Sequence, residues 1–277
     1  MDRSSMDRSV HCRPALFRAL GYADPPRVIE LGGKLCHRIE ILKHDSWAAT
    51  AIYTDDLGCH AACKFNRVQP ILFLPVKLLG KRLGSRETRA IRMMQDTEGF
   101  PHWSGTVSVD GRELPNAVAH DWIEGRPFVP SKALLDREFF PRLWRMYRVL
   151  HERDIAHVDS SKWGNILVGE DGRPHLIDFQ VHLFVPPDSA FRWLLCWFQA
   201  ADRYHVYRNW LRVHPDQVPR KDRDLSKHRP GFIRLAEALG PAWRGLRILI
   251  LRMAGVRQEA RGDTGDTQPG RRADGNS

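Results

Sequence analysis

Two nearby stretches, His157-Val-Asp-Ser-Ser-Lys-Trp-Gly-Asn-Ile-Leu-Val168 and Leu176-Ile-Asp-Phe-Gln180, put Asp159, Asn165 and Asp178 at the ends of short apolar runs. Three such side chains offer one base and two oxygen ligands for magnesium. That is the equipment of phosphoryl transfer from ATP, which rests on positioning and charge neutralisation with little covalent chemistry. The runs 166–168 and 176–177 read as strands, and Glu170-Asp171-Gly172 reads as the turn between them. An isolated Asp…Asn…Asp set would be weak evidence. A hairpin that carries all three makes it strong.

A second candidate lies upstream in Ala61-Ala62-Cys63-Lys64. Side chains alternate across a strand, so Ala62 and Lys64 share a face. A small residue there lets an adenine lie flat while the ammonium reaches phosphate oxygens.

The elements that must position these residues follow from hydrophobic periodicity. Strands are expected over 36–42, 48–53 and 60–68, with Asp55-Asp-Leu-Gly58 as a turn. Three antiparallel strands by about residue 68 result. Residues 71–79 hold Pro75 and read as a bent connection, and 85–96 as a helix capped by Ser85 with Ile91 and Met94 on its apolar face. Residues 103–109, the Asp110-Gly111 turn and 117–123 read as a second hairpin, and Glu124-Gly125-Arg126-Pro127 as a hinge.

Beyond the hinge, 136–152 is an amphipathic helix with Phe140, Leu143, Met146, Tyr147 and Leu150 on one side. Residues 189–213 are a long aromatic-rich helix, 215–230 a charged loop, and 232–256 one or two helices broken near Gly240-Pro241. The resulting division is a flexible leader over 1–26 with a short helix near 14–20, a β-rich N-lobe over 27–123, a helical C-lobe over 124–257 and a disordered tail over 258–277. Strands first, one helix among them, a hinge and then mostly helices make an α+β two-lobed chain.

A length of 277 residues gives ample material for a core, and 42% hydrophobic residues argue for a folded chain. A net charge of +10 favours anionic partners: nucleotide, nucleic acid or an acidic membrane surface. The 5 cysteines show no framework spacing, which suits a reducing compartment. Cys36-His37, Cys59-His60 and Cys63 lack tight C-x-x-C spacing and read as strand residues rather than zinc ligands. The first residues lack the apolar core of a signal peptide, and no apolar run approaches the ~20 residues of a membrane span. In 232–256, Trp243, Leu246, Ile248 and Leu251 interleave with Arg244, Arg247 and Arg252. Such a segment suits an interfacial helix on anionic lipid or a terminal helix packed on the C-lobe. No base-reading motif accompanies the charge, so nucleic acid is the least favoured partner.

The order H-x-D…N-I-L-V…D-F, with the A-x-K strand before it, resembles the catalytic loop, metal strand and ATP-contacting lysine of the protein-kinase-like superfamily. The resemblance covers roughly residues 35–210. It implies a protein-kinase-like fold with one αC-type helix in the N-lobe and a reduced helical C-lobe. It also implies an ATP-dependent phosphotransferase using Mg2+ or Mn2+ and a hydroxyl acceptor. Under it, Lys64 contacts ATP, Asp159 orients or deprotonates the acceptor hydroxyl, and Asn165 and Asp178 hold the metals. Lys162, between Asp159 and Asn165, approaches the transferred phosphate. Glu87, flanked by Arg86 and Arg89, is the best carboxylate to hold Lys64, with Glu98 a poorer rival near the helix end. Asp202 in the long helix braces the catalytic loop from below.

The departures are specific. His44-Asp45-Ser46-Trp47 stands where a glycine-rich phosphate loop is expected, so the backbone of the tight turn at Ser46 is its substitute. Val158 replaces the arginine of H-R-D, Gln180 replaces the glycine of D-F-G, and no A-P-E follows. Asp159 to Asn165 is one residue longer than in that pattern. These departures make the chain similar to the compact atypical branch, the RIO-like kinases and the bacterial lipopolysaccharide-core (Kdo and heptose) kinases. That branch implies an acceptor hydroxyl on a sugar, a lipid or a protein, and the basic segment 232–256 adds the expectation of a cytoplasmic protein peripheral at the inner membrane face. The rival readings are a pseudokinase that keeps the fold as a nucleotide-binding scaffold, and a basic nucleic-acid binder.

Overall fold

The computed structural model describes residues 15–70, 77–130, 135–218, 220, 223–224 and 230–231. They belong to one compact unit, Met1–Ala236; a second unit, Glu237–Ser277, lies outside the described residues. So do the interfacial segment 232–256, the tail 258–277 and the stretch 71–76.

The N-terminal half is a seven-stranded antiparallel sheet of order β6-β5-β1-β2-β3-β4-β7. Its strands are β1 (Val28–Leu31), β2 (Lys34–His44), β3 (Ala48–Asp55), β4 (His60–Asn66), β5 (Val107–Val109), β6 (Arg112–Glu113) and β7 (Ala117–Asp121). Register separates the two faces. Ala51, Tyr53, Ala61, Cys63, Phe65 and Ala119 turn to one side and pack with Ile29, Leu31, Cys36 and Val107. Thr50, Ile52, Ala62, Lys64 and Val118 take the other side, as the pairs Thr50↔Lys64, Ile52↔Ala62 and Lys64↔Val118 require. Cys36 and Cys63 are therefore buried strand residues, while Cys59 is exposed at the β3–β4 turn.

Several sequence expectations are corrected here. Four strands, not three, precede residue 67, because Val28–Leu31 pairs with β2 on one side and β5 on the other. The Asp110-Gly111 turn does close a hairpin, with φ of 50° and 70°. Its second strand is Arg112–Glu113, while Ala117–Asp121 crosses to pair with β4. Residues 15–26, read as part of a flexible leader, pack on the sheet instead. Ala19 is fully buried, its amide donates to Asp45 O (2.7 Å), and Arg18 contacts Asp24 and His44. The short helix there is confined to Ala15–Phe17.

Helix α1 (Lys77–Met94) begins two turns before the expected start, so Ser85 lies inside it rather than capping it. Gly80 and Gly84 look like breakers in the sequence. In the fold they let the helix touch backbone. A β-carbon at Gly80 would collide with the Arg67 carbonyl, and one at Gly84 would sit 2.9 Å from Pro115 O. The same closeness turns Glu87, Ala90, Ile91 and Met94 inward.

The C-terminal half is built on α2 (Phe139–Glu152) and α3 (Arg192–Val213). The expected apolar face of α2 is buried, from Phe140 through Leu150. The region read as a hinge forms β8 (Gly125–Pro127), which pairs with β10 (Ile166–Gly169). β10 in turn pairs with β11 (Pro174–Leu176), and β9 (Ile155–Ala156) pairs with β12 (Leu183–Phe184). One core joins the halves: Ile91, Met94, Phe100 and Val118 pack with Phe128, Phe140, Leu143, Ile166, Leu176 and Phe179. The architecture is α+β and two-lobed, as expected. Among the described residues no helix is long and apolar enough to cross a membrane.

Candidate functional site

The β10–β11 hairpin and the residues around it hold the candidate residues Asp159, Asn165 and Asp178. Ile166↔Leu176 pairing, together with an Ile177 amide donating to Asn165 O (2.9 Å), sets Asn165 beside the residue preceding Asp178. Asn165 Nδ2 donates to Asp159 O (3.3 Å), which orients the amide so that its Oδ1 is a candidate oxygen donor. Lys162 Nζ donates to Asp159 Oδ2 (2.5 Å), with the lysine exposed and the aspartate nearly buried. Asp159, Lys162, Asn165 and Asp178 thus form one neighbourhood.

The sheet meets that neighbourhood at Lys64. Its Nζ lies 2.7 Å from Glu87 Oε1 and 2.7 Å from Asp178 Oδ1. A β-strand, a helix and the end of a hairpin converge on one ammonium.

Electrostatics divide the two carboxylates. Burial opposes charge on Asp178, but the Lys64 ammonium outweighs it and holds that carboxyl well below the usual range. Burial is the largest influence on Glu87 and raises it, only partly offset by Lys64. Burial also works against the charge of Lys64, yet Glu87 and Asp178 together push it above an ordinary ammonium. Asp178 is the firm anion of the set, which suits a metal ligand. A carboxylate with an amide oxygen beside it is a hard-donor pair that fits Mg2+ or Mn2+.

Ala62 is buried on the Lys64 face, paired with Ile52 and His120. Ser46 is not brought to this point as a free phosphate contact. Its hydroxyl donates to Phe17 O (3.2 Å), and its carbonyl accepts from Arg67 Nη1 (2.6 Å). The amides of Trp47 and Ala48 donate to Asp45 Oδ1 (2.8 and 3.0 Å). The Trp47 and Ala48 amides are thus spent on the turn's own Asp45, and the Ser46 hydroxyl on the docked segment at Phe17. Glu98 pairs with Arg173 and has no part in the Lys64 cluster.

Asp202 is fully buried beneath the loop that carries Asp159. Its Oδ2 accepts from His157 N (2.7 Å) and its Oδ1 from Val158 N (3.1 Å), with His151 Nε2 at 3.2 Å. Val158 sits at φ 69°, a region that a β-branched residue avoids. The two bonds to Asp202 hold it there, immediately before Asp159. His157 adds a contact from Nε2 to Ile177 O (3.0 Å) that ties the loop to the segment before Asp178.

Sequence reading did not find three contacts. Gln180 Nε2 donates to Asn66 Oδ1 (2.8 Å), Arg86 Nη2 donates to His182 O (2.5 Å), and the Arg89 guanidinium lies 4.8 Å from the Phe184 ring centre. The arginines flanking Glu87 hold the segment after Asp178 and do not compete for the carboxylate. A cavity of about 410 Å³ also exists, lined by Ser85, Arg89, Arg92, Trp103 and Leu114 among others. Glu87, Lys64 and Asp178 are not among its lining residues, so it is separate from the ion cluster.

No family model matches the chain, and no curated protein matches it. Among solved structures, the crystal structure of the Rio2 kinase from Chaetomium thermophilum is similar, with a TM-score of 0.44 and 16% identity over 67% of this chain. The match spans 60% of that kinase's chain.

Proposed function

We propose that this chain is an ATP-dependent phosphotransferase that moves the γ-phosphate to a hydroxyl acceptor. The observation that carries the reading is the single Lys64 ammonium held at 2.7 Å by both Glu87 and Asp178. Two motifs 114 residues apart, each singled out for the same chemistry, meet there. Lys64 orients the phosphates of ATP, and Ala62 with Ile52 offers a flat apolar surface to the base. Asn165 and Asp178 hold Mg2+ or Mn2+, whose charge neutralises the phosphate oxygens. Asp159 orients the acceptor hydroxyl and takes its proton as the oxygen bonds to the γ-phosphorus and ADP leaves. Lys162 exchanges its contact with Asp159 for the transferred phosphate.

Val158, Gln180 and the missing glycine loop favour the compact atypical branch, with a lipopolysaccharide sugar or a protein Ser/Thr as acceptor. The chain then works in the cytoplasm, held peripherally at the inner membrane face by 232–256. The test is transfer from γ-labelled ATP with Mg2+ into a lysate fractionated into lipid, carbohydrate and protein. Label is expected in one fraction. Asp159→Ala should abolish transfer while leaving nucleotide binding within about twofold, since Asp159 touches the acceptor and not ATP. Full transfer by Asp159→Ala would overturn the assignment.

A second reading has its own observation. The turn amides expected to touch phosphate are taken by Asp45. A nucleotide-binding scaffold without turnover tolerates that. ATP-dependent thermal stabilisation with no ADP release over hours favours this reading.

A further inference from the structure

The segment that follows Asp178 is fastened at three places, and one of them is a side chain with no assigned role. Gln180 Nε2 lies 2.8 Å from Asn66 Oδ1, across 114 residues of chain. Asn66 is fully buried at the end of β4, two residues beyond Lys64. Its amide orientation is fixed by its other bonds. Nδ2 donates to Asn116 O (3.1 Å), and Asn116 Nδ2 returns a bond to Asn66 O (3.0 Å). With the nitrogen committed, Oδ1 must face Gln180 as an acceptor, and Gln180 must be the donor. The bond is directional and buried at one end, so its loss strands an acceptor without water.

The other two fasteners bracket Glu87. Arg86 holds the His182 carbonyl at 2.5 Å, and Arg89 covers the Phe184 ring. His182 is itself buried, with Nδ1 2.6 Å from Phe179 O. The two anchoring elements are therefore β4, which supplies Lys64, and α1, which supplies Glu87. Of the three fasteners, Gln180 is the nearest in sequence to Asp178, two residues away. Asp178 has a φ of 63°, so this short link leaves and enters a strained backbone position that needs holding from outside.

We infer that Gln180 is a positioning residue: its hydrogen bond to Asn66 keeps the Asp178 carboxylate on Lys64, where it would take a divalent metal, before any ligand arrives. This rests on the phosphotransferase reading for its purpose but not for its test. A glycine at this position would leave the segment free to swing. Gln180 replaces that freedom with a strut, so the metal position is assembled in the resting protein.

The test uses the full chain and two variants. Gln180→Leu keeps the volume and removes the donor. Gln180→Glu keeps the shape and cannot donate, and it serves if Gln180→Leu does not fold. The first measurement is the acylation rate of Lys64 by an amine-reactive ester, read by mass spectrometry without nucleotide or metal. Loosening Asp178 frees the ammonium, and labelling should rise about threefold or more at an unchanged rate for exposed lysines. The second is Mn2+ binding to protein loaded with a non-hydrolysable ATP analogue, which should weaken about tenfold while analogue binding without metal stays level. Parent-like Lys64 labelling in a folded Gln180→Leu variant would overturn the inference, since it would show the side chain merely fills space. Failure of the parent to transfer phosphate would instead count against the phosphotransferase reading, and the Lys64 labelling would still decide the role of Gln180.

Discussion

Lys64 is the residue on which the site depends, because it compensates two carboxylates. Glu87 is buried, and Asp178 is about three-tenths exposed. Removing the ammonium leaves both facing each other in a poorly hydrated place. Lys64→Met should therefore destabilise the chain by about 3 kcal/mol or more, the scale for an uncompensated buried charge. Adding Glu87→Gln should recover a good part of that loss. Urea unfolding of both variants measures it, and a cost below about 1 kcal/mol would mean that Lys64 is a solvated strand lysine. Val158 illustrates the opposite relation. Its strained φ costs about 1–3 kcal/mol, and Asp202 supplies the two bonds that hold it.

At the scale of elements, the position of α1 decides whether Glu87 reaches Lys64. The helix approaches β4 through Gly80, where any β-carbon meets the Arg67 backbone. Arg67 cannot step aside. Its guanidinium is bonded to the carbonyls of Ser46, Gln69 and Pro70, and to Leu16. In an ordinary exposed helix, Gly→Ala adds about 1 kcal/mol of stability. Here the sign should reverse: Gly80→Ala should cost about 1–3 kcal/mol by overpacking and weaken ATP binding as Glu87 withdraws. Thermal unfolding and nucleotide titration of this one variant check both. A stabilised variant would mean that α1 has room to move. Helix α3 plays the matching role below the loop, since it delivers Asp202.

For the whole molecule, acid stability follows from three buried histidines. Burial, the largest cause in each, lowers His44, His182 and His205 to about 4. Arg18, Arg86 and Arg208 respectively add to it. The unfolded chain binds these protons near pH 6.5 while the folded chain refuses them until about 4. Stability is complete above the upper value and falls as pH drops through the window. Each histidine contributes up to about 3 kcal/mol across it. Glu87 works in the opposite sense near the acid end, because its raised carboxyl takes up a proton more readily when folded. Three groups outweigh one, so the melting temperature should fall steadily from pH 7 to pH 4.5, on the order of ten degrees or more. His182→Gln should flatten that slope, and an equally steep slope in the variant would dismiss the account. His182 matters beyond stability, since its carbonyl is the one Arg86 holds.

Much of the site was legible along the chain for a physical reason. Asp159, Asn165 and Asp178 lie within one loop and hairpin, so their spacing and the alternating apolar residues between them already set their neighbourhood. That Lys64 and Ala62 share a face was legible from strand alternation, the functional reading of Lys64 only together with the later motifs, and the two-lobed order from the succession of periods. The glycines of α1 were not, because a glycine that breaks a helix and one that admits a close neighbour look alike until the neighbour is present. Nor were the docking of residues 15–26 on the Ser46 turn, the crossing of β7 to β4, or the bonds of Gln180 and the arginines beside Glu87. Those depend on groups 26 to 114 residues apart meeting in space, which leave no local pattern. The residue types and spacing determined which chemistry the chain is equipped for. Tertiary packing alone decided that Lys64 holds both Glu87 and Asp178, because an ion cluster exists only where three separate backbones bring its charges within reach.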